Sequence, residues 1–246
     1  MDEKTLLFDL LIHDLTGPLS IVSTSAANLL HKAERYGPLT DPQKGVLERI
    51  LRNANKTQTL LQEMIEILRS EEGLFRREFF SVEMALQESF LDVLELSAPT
   101  VVEALRQAGS MNEFRQILEP HGILIEMTGK YCKSSFCHDQ KKVQQILRNL
   151  FSNALKYRRK HMGLSISGET DLLIGVEDDG MGVPLSDQEA IFKRFIRLND
   201  SKSPNVAGLG LGLTGVKALL EAMGGEISLV SREGVGTRFT VRIPPP

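Results

Sequence analysis

The chain has 246 residues, 41% of them hydrophobic and 25% charged, with a formal net charge of -3. That is an ordinary globular composition, long enough for one large domain or two modest ones. The near balance of charge argues against a nucleic acid partner, no apolar run is long enough to span a bilayer, and the acids in MDEKTLLFDL do not suit a signal peptide. A soluble, cytoplasmic protein is the expectation. Cys132 and Cys137 fit a reducing compartment. With His121 and His138 nearby they lack a second half at ligand spacing, so no zinc site is predicted.

Residues 5–34 read as a helix in which Phe8, Leu11, Leu15, Leu19, Val22, Ala26, Leu29 and Ala33 form one apolar stripe. RYGPLTDP breaks it, with Asp41 as the expected N-cap and Pro42 at the first helical position of a second helix running to about Ser70. That helix carries two adjacent stripes: Val46, Ile50, Asn53, Thr57, Leu60, Met64 and Ile67 beside Leu47, Leu51, Ala54, Leu61, Ile65 and Leu68. One hairpin partner cannot cover both, so a homodimer through residues 1–70, closing a four-helix bundle, is expected. His13 stands about 200° around the helix from both Leu11 and Leu15, so it faces away from the stripe. A solvated surface histidine is the alternative, and it is the better reading for His31. Pro18 removes the hydrogen bond to the Asp14 carbonyl and bends the helix just past His13.

The polar residues 71–77 are the expected linker between domains, with 78–246 a second domain. A short strand over 78–81 precedes a helix over 82–96. Residues 97–116, punctuated by Pro99 and Gly109, read as an inserted helical segment without evident chemistry. A strand over 122–127 leads to a helix over 139–157 whose buried face is Val143, Ile146, Leu147, Leu150, Phe151, Ala154 and Leu155. Asn149, Asn153 and Lys156 share a different face. Asparagines inside a helix carry a propensity penalty that a polar surface does not explain when core residues flank them.

The apolar run 172–176 ends in EDDGMGVP. It reads as a buried strand delivering Asp178 to the mouth of a pocket, with Gly180 and Gly182 letting the backbone turn and approach a ligand. Asp-Gly alone is ordinary turn chemistry. IFKRF (191–195), a polar stretch at 198–207 suited to a mobile lid, and GLGLGL (208–213) follow. Glycines opening a helix expose backbone N–H groups to phosphate oxygens. Their spacing fits neither the dinucleotide-binding G-x-G-x-x-G nor a Walker A loop. The last part, 225–244, reads as two strands joined at REGVGT.

NLFSNALKY, DDGMG, IFKRF and GLGLG, in that order, resemble the N, G1, F and G2 boxes of the GHKL ATPases. With HDLTGPL at 13–19 the chain resembles the catalytic core of a sensor histidine kinase of two-component signalling. The resemblance covers nearly the whole chain apart from 97–116. It implies a helical hairpin followed by an α/β sandwich of the GHKL type, with ATP and Mg2+ as cofactors. His13 becomes the phosphoacceptor, and Asp14 the carboxylate that fixes its tautomer. Asn153 becomes the Mg2+ ligand, with Asn149 supporting the phosphate-metal side, Lys156 neutralising phosphate and Tyr157 packing near adenine and ribose. Asp178 becomes the acceptor for the adenine amine, with Thr237 joined to the base through Asp178 and water, and Asp179 structural. Gly208, Gly210, Leu211 and Gly212 line the nucleotide, while Phe192 and Phe195 anchor the lid and Arg194 and Lys202 are phosphate candidates. The implied partner is the receiver domain of a response regulator, and the implied setting is cytoplasmic, which fits the cytosolic part of a longer sensor. Gly17 stands where the family often has Thr or Asn, which puts phosphatase activity by that route in doubt, and Leu209 stands where Thr is common.

Two other readings stay open on residues alone. A GHKL ATP hydrolase would want a glutamate near Asn149 as base for water, where this chain has Gln145 and Arg148. A degenerate kinase could serve as a nucleotide-binding dimeric scaffold.

Overall fold

The computed structural model describes residues 3–71, 75–95, 97–192 and 212–246; for 3–14, 33, 34, 56, 59, 60 and 62–71 it describes the backbone only. The chain divides into two compact units, Met1–Arg69 and Ser70–Pro246.

The first unit is a pair of long helices. Helix α1 (Glu3–His31) carries Pro18 in its interior, and α2 (Ala33–Tyr36) is a short turn after it. The first helix therefore ends at His31 rather than running to residue 34. Helix α3 spans Asp41–Glu71. Its cap is Thr40, one residue before the Asp41 expected from sequence. The Thr40 N–H and hydroxyl both donate to Gln43 Oε1 at 2.9 Å, and the Thr40 carbonyl accepts from Lys44 N–H at 3.0 Å. The Gln43 side chain reaching back to the Thr40 N–H is one half of a capping box. It leaves Asp41 as the first helical residue, where its negative charge suits the helix dipole.

Ala26 and Ala54 are buried between α1 and α3. Ser23 Oγ donates to Asn55 Oδ1 at 2.6 Å, and Gln58 Nε2 donates to Ser20 Oγ at 3.1 Å, tying the two helices. Of the two stripes predicted on α3, Leu47, Leu51, Ala54 and Leu61 face the hairpin. Val46 and Ile50 stay 45% and 40% exposed. The single stripe expected on α1 divides in the same way: Leu19, Ala26 and Leu29 are covered at least in part, while Leu15 and Val22 remain exposed. One helix neighbour covers only part of another helix's circumference, so the remaining apolar positions are open within a single chain.

The second unit is a two-layer α/β sandwich. Strand β1 (Glu78–Phe80) leads into α4 (Val82–Leu94), which Ser81 caps by accepting from Met84 N–H. The predicted insertion is two helices, α5 (Pro99–Gln107) and α6 (Met111–Leu118). Ser110 Oγ accepts from Glu113 N–H, and the Glu113 carboxylate accepts at 2.7 Å from the N–H of Gly109, the residue before the cap. Val102, Leu105, Met111, Phe114 and Leu118 are buried, which makes the insertion part of the core. Phe114 meets Phe90 edge-on, and Phe90 stacks on Phe151 with centroids 4.2 Å apart.

Then come β2 (Ile123–Met127), β3 (Phe136–His138), α7 (Gln140–Tyr157), β4 (Met162–Ser167), β5 (Leu172–Asp178), α8 (Gly212–Ala222), β6 (Glu226–Arg232) and β7 (Gly236–Ile243). Five strands form one sheet in the order β2-β4-β5-β7-β6, with β2 parallel to β4 and the other pairs antiparallel; β1 and β3 pair separately. Burial alternates along β4 and β7, as expected for a sheet with one face on the core. The inner face packs against α7 and α8. The outer face carries cross-strand ion pairs such as Arg238–Glu177 at 3.0 Å.

Candidate nucleotide site

The site is assembled from the last turns of α7, the loop after β5, the start of α8 and the β6–β7 hairpin. Helix α7 is held against the sheet by Val143, Ile146, Leu147, Leu150 and Phe151, all fully buried. That packing sets the rotation of the helix and leaves Asn149 and Asn153, one turn apart, half-buried at its margin. A Cβ placed on Gly212 would lie 3.5 Å from Asn149 Oδ1, so this amide sits against the first residue of α8. A helix start carries the positive end of the helix dipole. The Lys156 ammonium lies 4.8 Å from the centre of the Tyr157 ring, and that ring is itself largely exposed. Arg148 is ion-paired to Asp92 of α4 at 3.1 Å.

Asp178 ends β5, directly across from Thr237 on β7. Its Oδ1 accepts from Gly180 N–H at 2.9 Å. Burial is the largest influence on this carboxyl and raises its pKa; the Gly180 hydrogen bond opposes the rise and the charge of Asp179 adds to it. A carboxylate kept at the edge of an apolar layer with few donors is poised to accept from a ligand. The two glycines of the loop have separate causes. A Cβ on Gly180 would run into the Tyr157 carbonyl, the end of α7; Gly182 has φ +70° and no room for a Cβ beside the Arg232 carbonyl.

Asp179 points the other way. It accepts from the backbone N–H groups of Arg159 (2.8 Å) and Lys160 (3.0 Å) and so clamps the end of β5 to the turn after α7. Desolvation pushes its pKa up, but the backbone donors Lys160, His161 and Arg159 outweigh it and hold the carboxyl below 3.8. A carboxyl whose folded-state pKa is depressed contributes stability above its unfolded pKa, and that stability is lost as pH falls through the folded value. Asp179→Ala is therefore expected to lower the urea midpoint at pH 7. Its deficit relative to wild type should shrink as pH falls below about 4, and a deficit constant with pH would contradict this role.

Sequence reasoning missed Ser231 and Gln188. Ser231 Oγ accepts from Val183 N–H at 2.8 Å, donates to the Gly236 carbonyl at 2.9 Å and lies 3.0 Å from Thr237 Oγ1. Gln188 Nε2 donates to the carbonyls of Val183 and Ser231, both at 3.1 Å. A serine on an alternating strand gives no local signal; only the register of β6 with β7 places Ser231 across from Thr237. Phe192 is edge-on to Phe239, and its carbonyl accepts from Thr214 Oγ1.

The remaining predicted residues divide by location. His13 and Asp14 lie on α1 with their side chains outside the description, and Arg194, Phe195, Lys202, Gly208, Gly210 and Leu211 fall outside the described residues altogether. The described part of the glycine-opened helix begins at Gly212. Among the described residues no three His, Cys, Asp or Glu side chains form a metal cluster, and no helix is long and apolar enough to cross a membrane. Cys132 and Cys137 are free thiols.

Residues 138–246 match the family model described as histidine kinase-, DNA gyrase B-, and HSP90-like ATPase. The chain therefore resembles this ATPase family over the larger part of its second unit. It is similar along 94% of its length, at 30% identity, to the circadian input-output histidine kinase CikA of Synechococcus elongatus, and covers 29% of that protein. It is 42% identical over 111 residues to the sensor histidine kinase WalK of Bacillus subtilis, which is 43% of this chain and 18% of the relative. The chain thus spans less than a third of these curated relatives. Among solved structures, full-length ShkA in complex with AMPPNP superposes with a TM-score of 0.68 at 22% identity, covering 97% of this chain and 45% of that one. The Acinetobacter baumannii histidine kinase AdeS gives 0.51 at 22% identity, with 95% and 98% covered. At such identities these two likenesses speak for the fold.

Proposed function

We propose that the second unit and the helical hairpin before it are the dimerisation, phosphoacceptor and ATP-binding core of a sensor histidine kinase. Such a core moves the γ-phosphoryl group of ATP to His13 and then to an aspartate on a response-regulator receiver domain. The observation that carries the reading is the placement of Asp178 directly across from Thr237 at the end of β5, with Asn149 against the start of α8. The first pair would accept hydrogen bonds from a base, and the positive dipole end of α8 would favour phosphate.

At the phosphate end, the donor chemistry fits Mg2+, which prefers a few protein oxygens together with water and phosphate. Asn153 would hold it through its amide oxygen, with Asn149 beside it, and the ion would supply charge neutralisation on the triphosphate. The α8 N-terminus with Gly208, Gly210, Leu211 and Gly212 would cradle the phosphates. Lys156, Arg194 and Lys202 would add positive charge, and Phe192 and Phe195 would anchor the covering segment. Tyr157 would pack near the base and ribose. In the transfer, a ring nitrogen of His13 uses its lone pair to form the P–N bond. The bond from phosphorus to the β,γ-bridging oxygen breaks and its electrons leave with ADP. Asp14 accepts the hydrogen bond from the other ring nitrogen and stabilises the positive charge that develops there. In the second step the P–N bond breaks as a receiver carboxylate oxygen takes the phosphoryl group. Catalysis on this account is mostly positioning.

The apolar positions left open on the hairpin, Leu15, Ile21, Val22, Val46 and Ile50, support a homodimer through residues 1–70. Residues 71–77 would serve as the hinge between residues 1–70 and 78–246. The test is incubation with γ-labelled ATP and Mg2+. An acid-labile, alkali-stable label on the protein is the expected result. ATP consumption without label would make the chain a hydrolase, and bound nucleotide with neither would make it a scaffold.

A further inference from the structure

We infer that Ser231 sets which purine this site accepts, by fixing the direction in which the Thr237 hydroxyl can hydrogen-bond; the inference rests on the ATP-binding reading above. Asp178, Thr237 and Ser231 form one row across β5, β7 and β6, each in register with the next. A serine hydroxyl has one proton to donate and two lone pairs to accept with. The neighbours of Ser231 Oγ use all three. Val183 N–H can only donate to it (2.8 Å). The Gly236 carbonyl can only accept from it (2.9 Å), so the serine proton goes there. Thr237 Oγ1, 3.0 Å away, is left with the second lone pair of Ser231 and must supply its own proton. Gln188 fixes the geometry from behind by donating to the backbone carbonyls of both Val183 and Ser231.

The consequence reaches the base. With its proton turned inward, Thr237 offers only lone pairs outward, next to a carboxylate that also only accepts when ionised. Two acceptors side by side match a 6-aminopurine, whose exocyclic amine donates. They oppose a 6-oxopurine, whose carbonyl oxygen would meet acceptors without a proton between them. Removing the Ser231 hydroxyl frees the Thr237 proton to turn outward and satisfy that oxygen. Ser231 is thus a positioning residue for specificity that need not touch the nucleotide.

The experiment is calorimetric titration of the full chain with ADP and with IDP, which differ at the purine 6-position, for wild type, Ser231→Ala, Ser231→Thr and Thr237→Val. Wild type should bind ADP in clear preference to IDP. Ser231→Ala should shrink that preference about tenfold, the size of one hydrogen bond gained or lost, and Ser231→Thr, which keeps the hydroxyl, should restore it. Thr237→Val removes the outward acceptor while keeping side-chain shape, and should also shrink the preference, so the inference can be judged even if Ser231→Ala does not fold. An unchanged ADP-to-IDP ratio in Ser231→Ala, or in Thr237→Val where the serine variant does not fold, would overturn the role of Ser231 while leaving ATP binding intact. A wild type that binds neither nucleotide would overturn both this inference and the reading beneath it.

Discussion

Asp178→Asn is expected to weaken ATP binding on the order of a hundredfold, while leaving the melting temperature unchanged or slightly raised. The two halves of this expectation have one cause. The Asp178 carboxyl is part-buried at the end of β5 and burial raises its pKa. A carboxyl whose folded-state pKa is raised stabilises the fold least when it is ionised: the fold loses stability as pH rises from its unfolded value near 3.8 through the folded one. Asparagine removes that cost. It also presents an N–H2 group where the adenine amine needs an acceptor, so a charge-assisted hydrogen bond becomes a clash of donors, an exchange worth about 2–3 kcal/mol or more. Thermal melting and nucleotide titration of the same preparation check both halves. Parallel loss of stability and binding would mean that the carboxylate is structural.

Gly236→Ala is expected to act in the opposite sense, damaging the fold first. Gly236 has φ +147°, a conformation that L side chains rarely adopt, and a Cβ there would run into the Asp178 carbonyl and approach the Asp179 Cα to 3.2 Å. Both obstacles are backbone of the neighbouring strand, so neither can swing aside. Strain and displacement together should cost about 3 kcal/mol or more, roughly 10 °C in melting temperature for a unit of this size. The displaced strand end carries Asp178, so nucleotide affinity should fall with stability. Gly234 makes a control in the same hairpin: it has φ +77° but nothing within 4 Å of a Cβ, so Gly234→Ala should cost less. Equal melting temperatures for Gly236→Ala and wild type would refute the packing argument.

Much of the nucleotide domain was legible because its signals are local. The apolar run 172–176 ending in Asp-Asp-Gly and the apolar periodicity around the asparagines of α7 each announce an element. Helix ends were read less well. Thr40 caps α3 because Gln43 reaches back to it, a relation that the attractive Asp41-Pro42 pair obscured. The inserted segment was read as helical, but its place in the core was not, since Met111, Phe114 and Leu118 join the core only once α6 lies beside β2. What the residues could not supply was register. Strand alternation puts Ser231 on the face of Ile227 and Leu229 and Ser228 on the other, but Ser231 and Gln188 gain their part from partners dozens of residues away that alternation does not name.

In the proposed function, nucleotide bound beside Asp178 delivers its γ-phosphoryl group to His13. The most direct measurement is to map the label after incubation with γ-labelled ATP and Mg2+, comparing wild type with His13→Gln under alkaline conditions that preserve phosphohistidine. The expected result is an alkali-stable, acid-labile phosphoryl group on the peptide containing His13, absent from His13→Gln although that variant binds ATP as well as wild type does. Undiminished label in His13→Gln, or label on any other residue, would contradict it.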